Sequence, residues 1–191
     1  MKRNLLIVGD SFSADWTKKY NENSGWVNKL EQNYNVTNLS EAGVGEYKIL
    51  LQLKSVENTM YDNVIICHTS PFRIYIRQHP IHHTDILHHN CDLIYGDVLE
   101  HKGNPICNTA INFFEQIYDM EYACFVHELI VKEIQTQYPN AIHISFFDLN
   151  ISNIHYFYSE FKKYKGTVNH LNEKGNDVVY NKICKLLERG V

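Results

Sequence analysis

Asn4-Leu5-Leu6-Ile7-Val8-Gly9-Asp10-Ser11-Phe12-Ser13 sets the architecture of the chain. Its apolar run is short and unbroken, and Gly9 ends it, which is the pattern of a buried strand leading into a tight turn. Beyond it, residues 25–32 predict a helix with Trp26, Val27 and Leu30 on one face, and Val36–Leu39 predicts a second strand. Residues 46–56 predict a helix on which Ile49, Leu50 and Leu53 cluster. Val64-Ile65-Ile66-Cys67 predicts a third strand, apolar enough to be covered on both faces. Further on come a long helix over 109–138, a fourth strand over 141–147, a loop region over 148–169 and a last helix over 172–189, with Asn172 as its cap and Gly190 just past its end. Strands alternating with helices predict an α/β domain with a mostly parallel sheet, whose ligands sit at the carboxyl ends of the strands.

Residues 71–108 interrupt the rhythm. They hold three of the four prolines and six of the eleven histidines without a long apolar period, so they are expected to form an insertion or cap on one domain spanning residues 1–191. His79, His82, His83, His88, His89 and Cys91 crowd there, but no C-x-x-C or H-E-x-x-H spacing frames them, and no metal is expected. Gly43-Val44-Gly45 opens a G-x-G-x-x-G that Lys48 breaks, after the second strand and not the first, so no dinucleotide is expected either.

The formal charge of −4, with no basic stripe, argues against a nucleic-acid partner. No run reaches transmembrane length, and the apolar run after Lys2 and Arg3 is too short for a signal-peptide core. With an odd number of cysteines and no paired spacing, the expectation is a cytoplasmic protein with reduced thiols and no membrane partner.

Two loops carry candidate chemistry. Gly9-Asp10-Ser11 places a serine at the sheet's ligand-binding edge, where a following helix N-terminus would aim backbone N–H groups at an oxyanion. Asn169-His170-Leu171-Asn172-Glu173-Lys174-Gly175 presents His170 at the entrance of the last helix, where a general base for that serine is needed. The bland alternatives are a capping turn and a solvent-exposed histidine.

Together these blocks resemble the SGNH/GDSL hydrolase family, with Gly9-Asp10-Ser11 near one end and His170-Leu171 near the other. Asn38-Leu39-Ser40-Glu41-Ala42-Gly43 looks like the family's second block. The resemblance implies a three-layer, flavodoxin-like α/β fold and a cofactor-free serine esterase or acyltransferase. It assigns Ser11 as nucleophile, His170 as base, and the N–H groups of Ser11 and Gly43 as oxyanion donors. Two positions depart from the family pattern. Ser70, in His68-Thr69-Ser70, stands where an asparagine amide would complete the oxyanion hole, and Thr167 stands where an aspartate would orient His170. Three arrangements answer the missing carboxylate: a backbone carbonyl that holds His170, another acid such as Asp148, or a function other than hydrolysis. Arg73, close in sequence to Ser70, is the candidate substrate-binding residue. The expected substrate is a small acyl ester or acylated carbohydrate. The alternative is a non-catalytic sugar- or acyl-binding protein on the same scaffold, using the aromatic residues. Oligomeric state stays open.

Overall fold

The four apolar residues between Asn4 and Gly9 point alternately to the two sides of a five-stranded parallel sheet. The computed structural model describes residues 2–19, 25–166 and 170–189. Strands β1 (Arg3–Gly9), β2 (Tyr34–Asn38), β3 (Asn63–His68), β4 (Ile142–Ser145) and β5 (His155–Tyr156) lie in the order β2-β1-β3-β4-β5. Leu5 and Ile7 join one core with Trp26, Val27 and Leu30 of α1 (Trp26–Leu30) and Val179, Ile183 and Leu187 of α7 (Glu173–Arg189). Leu6 and Val8 join the other, with Ile49, Leu50 and Leu53 of α2 (Glu46–Lys54) and Ile134 of α5 (Met120–Gln137). Each such side chain, wholly removed from water, contributes about 1.5–3 kcal/mol. Helices on both faces of a parallel sheet make this the three-layer α/β fold that the alternation predicts.

β1 pairs with both β2 and β3, so the chain reverses direction across the sheet at β1. Loops leaving neighbouring strands at such a switch point frame a crevice. Here they are the loops after β1, β2 and β3.

Several boundaries differ from expectation. The long helix over 109–138 is two helices, α4 (Pro105–Gln116) and α5. Asn104 starts α4 early, since its Oδ1 accepts from the N–H groups of Ile106 (3.0 Å) and Cys107 (3.3 Å) and Pro105 fits the first helical turn. Asp119 restarts the chain as α5 by accepting from the Tyr122 N–H at 2.7 Å. The loop region after β4 holds β5 and a short helix, α6 (Tyr158–Lys163). Asn172 does cap α7, accepting from the Gly175 N–H at 2.9 Å, while Gly190 lies outside the described residues. Between β3 and α5, the segment with α3 (Tyr95–Glu100) and α4 carries its own small core of Leu93, Val98, Cys107, Ala110 and Ile111. Among the described residues no helix is long and apolar enough to cross a membrane.

Candidate active site

Gly9 closes β1 with φ +153°, and a β-carbon there would come within 2.5 Å of Cys67 Cβ and Ser13 Oγ. The Gln52 side chain bonds both sides of this residue: Oε1 accepts from the Gly9 N–H (2.8 Å) and Nε2 donates to its carbonyl (3.2 Å). The next residue, Asp10, is wholly buried. It accepts from the Phe12 N–H (3.0 Å) and from Thr69 Oγ1 (2.7 Å), and Arg73 Nη2 lies 3.5 Å away. Burial pushes the Asp10 carboxyl upward, against the opposing pull of Arg73, Thr69 and Phe12. One carboxylate thus ties the loop after β1 to the loop after β3.

Ser11 comes next, partly buried, and its carbonyl accepts from Trp16 Nε1 at 2.7 Å. The chain does not start a helix at this point, contrary to expectation. Residues 11–14 form a turn in which the Ser13 and Ala14 N–H groups donate back to the Asp10 carbonyl (3.1 and 3.0 Å), and a 3₁₀ turn spans Trp16–Lys18. Asp10's own hydrogen bonds favour that turn, so helix-dipole stabilisation of an oxyanion is not built into it.

His170 reaches the same turn from the other end of the chain. Its ring lies 4.3 Å from the Trp16 ring and 5.4 Å from that of Phe12, centroid to centroid. Its carbonyl accepts from the Gly166 N–H, and a bridge between Lys165 and Leu171 closes the loop behind it. Trp16 therefore touches both candidate residues: it donates to the Ser11 carbonyl and packs its ring on His170. Thr167 and Asn169 lie outside the described residues. Asp148 is exposed and makes no ion pair among the described residues.

The second loop is held against the first by Asn38, whose Nδ2 donates to the Ser13 carbonyl at 2.8 Å. Gly43 has φ +79°, and a β-carbon there would sit 2.5 Å from Cys91 Cβ. Only glycine combines that backbone with that approach. The insertion thereby packs directly on the second loop, and the Asp92 N–H donates to the Gly43 carbonyl at 3.0 Å. Lys48, also buried, pins the insertion from below: its Nζ meets Asp92 Oδ1 (2.8 Å) and donates to the carbonyls of Ile76 and Asn90 (2.7 Å each).

Ser70, partly buried, adjoins Thr69, and its Oγ accepts weakly from the Phe72 N–H at 3.4 Å. Arg73 is half-buried, packed under Gly45, and its Nε and Nη1 have no hydrogen-bond partner among the described residues. Ser11, Gly43, Ser70 and Arg73 thus gather on three interlinked loops, and His170 joins them through Trp16.

Behind Thr69 lies a buried polar network that sequence reasoning missed. Glu46 Oε1 meets His68 Nδ1 at 2.6 Å, and Oε2 accepts from the Thr69 N–H at 3.1 Å. His68 Nε2 meets His143 Nδ1 at 2.9 Å, and His143 Nε2 meets the Tyr138 carbonyl at 3.1 Å. A carbonyl only accepts, so His143 carries its proton on Nε2. Burial holds His143 down to about 4, so near neutrality its Nδ1 is a bare acceptor. His68 Nε2 therefore donates to His143, while its Nδ1 faces the Glu46 carboxyl. Its partner Glu46, held down to about 2 by His68 and His127 against the cost of burial, is the carboxylate. His127 Nε2 completes the frame, 2.8 Å from the Thr69 carbonyl and 3.2 Å from Glu46 Oε2. Two sequence signals mark this network. Glu46 shares the apolar stripe of Ile49, Leu50 and Leu53, and His127 shares that of Val131 and Ile134.

The histidines of the insertion form a clasp. His79, His82 and Asp97 offer ligand atoms within 4.8 Å of one another. His79 Nδ1, however, accepts from the N–H groups of Ile81 and His82 at 3.2 Å each. A neutral imidazole has one lone pair, so the His79 proton sits on Nε2, facing Asp97 Oδ2 at 3.3 Å. That nitrogen has no lone pair for a metal unless a second proton is lost. His82 Nε2 meets Asp97 Oδ1 at 2.8 Å on the same carboxylate. Cys91 is pushed up to about 12 by burial and stays a thiol.

No protein-family model matches the chain, and no curated protein matches it significantly in sequence.

Proposed function

We propose that this protein is a serine-dependent ester hydrolase or acyltransferase of the SGNH/GDSL kind, acting on a small acyl ester or an acylated carbohydrate. The observation that carries the reading is Trp16, whose indole N–H holds the Ser11 carbonyl at 2.7 Å while its ring packs 4.3 Å from that of His170. The Ser11 backbone and the His170 ring, from opposite ends of the sequence, thus share one partner beside the turn after β1.

In this scheme His170 takes the proton of the Ser11 hydroxyl as Oγ attacks the acyl carbonyl. The Ser11 and Gly43 N–H groups and the Ser70 hydroxyl hold the tetrahedral oxyanion. The intermediate collapses, and His170 returns the proton to the departing alkoxide. Water, or an acceptor alcohol in a transferase, then attacks the acyl-serine with His170 again as base. Arg73 offers donor capacity to a substrate oxygen beside Asp10. No cofactor enters the scheme. The serine at position 70 is a shorter donor than an amide, and loss of one oxyanion donor slows such reactions about 10²–10³-fold. A modest turnover is therefore expected. The free cysteines suit a cytoplasmic setting.

A fluorophosphonate probe tests the reading without a guess at the substrate. Covalent labelling at Ser11, lost in Ser11→Ala and strongly slowed in His170→Ala, is expected. Hydrolysis of a short p-nitrophenyl ester should fall in the same two variants. An unlabelled Ser11, with ester turnover equal in all three proteins, would leave a binding protein on this scaffold as the better description.

A further inference from the structure

We propose that Thr69 is a positioning residue of the candidate site, clamped by Glu46 and His127 so that it fixes Ser70 and the Ser11 turn in one relative placement. The inference rests on the esterase reading and adds to it three residues that act through others.

β3 ends at His68, so the backbone of Thr69 lies beyond the parallel ladder. Side chains take over the ladder's role there. Glu46 Oε2, from α2, accepts from the Thr69 N–H at 3.1 Å, and His127 Nε2, from α5, donates to its carbonyl at 2.8 Å. The same His127 nitrogen faces Glu46 Oε2 at 3.2 Å, and His68 Nδ1 meets the other carboxylate oxygen at 2.6 Å. The remaining polar group of Thr69, Oγ1, donates to Asp10 Oδ2 at 2.7 Å. Every polar group of this wholly buried residue is therefore engaged, by three different segments of the chain.

Thr69 is the joint between two candidate groups. Next in the chain is Ser70, an oxyanion donor of the scheme. Across the Oγ1 bond is Asp10, whose Oδ1 accepts from the Phe12 N–H at 3.0 Å and so shapes the turn that carries Ser11. Stability alone does not call for a buried network of this kind, because apolar packing of the same volume is often as stable. What a fully satisfied network supplies is a single geometry. Reaction rates respond to that, since a misplacement of about 1 Å can cost about 10²-fold.

Fluorophosphonate labelling of Ser11 in two pairs of variants of the full chain tests this, on protein that melting curves show to be folded. Thr69→Val keeps the packing and deletes the hydroxyl, whereas Thr69→Ser keeps the hydroxyl and trims a methyl. Thr69→Val should label about 10- to 100-fold more slowly than wild type, and Thr69→Ser at close to the wild-type rate. Turnover of a p-nitrophenyl ester should follow, with kcat lowered and KM little changed. His127→Leu and His127→Gln probe the backbone side: glutamine keeps an N–H donor for the Thr69 carbonyl, so leucine alone should slow labelling. Where Thr69→Val is too unstable to assay, the His127 pair decides. A packing role would make Thr69→Ser the slower of its pair, and that order overturns the proposal. A KM that rises at constant kcat makes Thr69 a binding contact and overturns it too. A wild-type rate in either Thr69→Val or His127→Leu overturns it while the esterase reading stands. Wild-type protein that never labels at Ser11 removes the esterase reading and the proposal together.

Discussion

Acidification should destabilise this protein well above the pH at which its carboxylates titrate, and His143 is the reason. In the fold its ring is buried and neutral, with a proton affinity lowered from the ordinary 6.5 to about 4. Unfolded, it takes up a proton as pH falls through 6.5, whereas folded it resists until about 4. The unfolded state therefore binds more protons across that window, and stability falls as pH falls. At 1.36 kcal/mol per unit, the full difference is about 3 kcal/mol, of which about 2.5 kcal/mol is gone by pH 4.5 relative to pH 7. Protonation also puts a hydrogen on His143 Nδ1, which faces His68 Nε2 at 2.9 Å, and so removes the acceptor that His68 uses. Urea unfolding at pH 7 and at pH 4.5 measures the loss. His143→Asn keeps an acceptor for His68 and removes the titrating group. Its stability should change by about 2.5 kcal/mol less than the wild type's over the same interval. An equal change in the two proteins would refute the assignment of His143 as a neutral, buried acceptor.

The geometry sets three further outcomes. Glu46→Gln removes the buried carboxylate that meets His68, His127 and the Thr69 N–H, and should cost about 1–3 kcal/mol in urea unfolding. Gly43→Ala meets both a positive φ and the Cys91 side chain, so its melting temperature should drop by the equivalent of at least about 1–3 kcal/mol, with Cys91→Gly relieving only part of the loss. Trp16→Phe keeps a ring against His170 but deletes the donor to the Ser11 carbonyl. Fluorophosphonate labelling should slow about fivefold, as loss of roughly 1 kcal/mol of hydrogen bonding would give, with the melting temperature little changed.

The sheet was legible because its strands are short apolar runs ended by glycine or polar residues, and such runs have few other ways to hide. The helix boundary near Ile117 was not, because apolar periodicity continues through it. The break is made by the Asp119 cap, a local hydrogen bond that periodicity does not register. Ser11, Gly43 and His170 were legible as motif residues because each stands just after a strand or just before a helix. The turn after Ser11 was misread as a helix start, since nothing in Phe12-Ser13-Ala14 announces that Asp10 will take the local hydrogen bonds. Glu46, His68, His127 and His143 come from four different elements. Only the fold makes neighbours of them, although a charge on an apolar stripe was a visible hint. Trp16 reads as one aromatic among many until its indole is seen to touch both loops.

Asp10 has a consequence for anyone who would transplant this site. The serine-bearing turn does not keep its shape alone; it hangs from a carboxylate whose other attachments, Thr69 and Arg73, belong to a different loop. Grafting Gly9-Asp10-Ser11 onto a foreign scaffold without those two residues would import a desolvated acid and leave behind what makes it tolerable. The smallest portable unit is the pair of loops, moved as one piece.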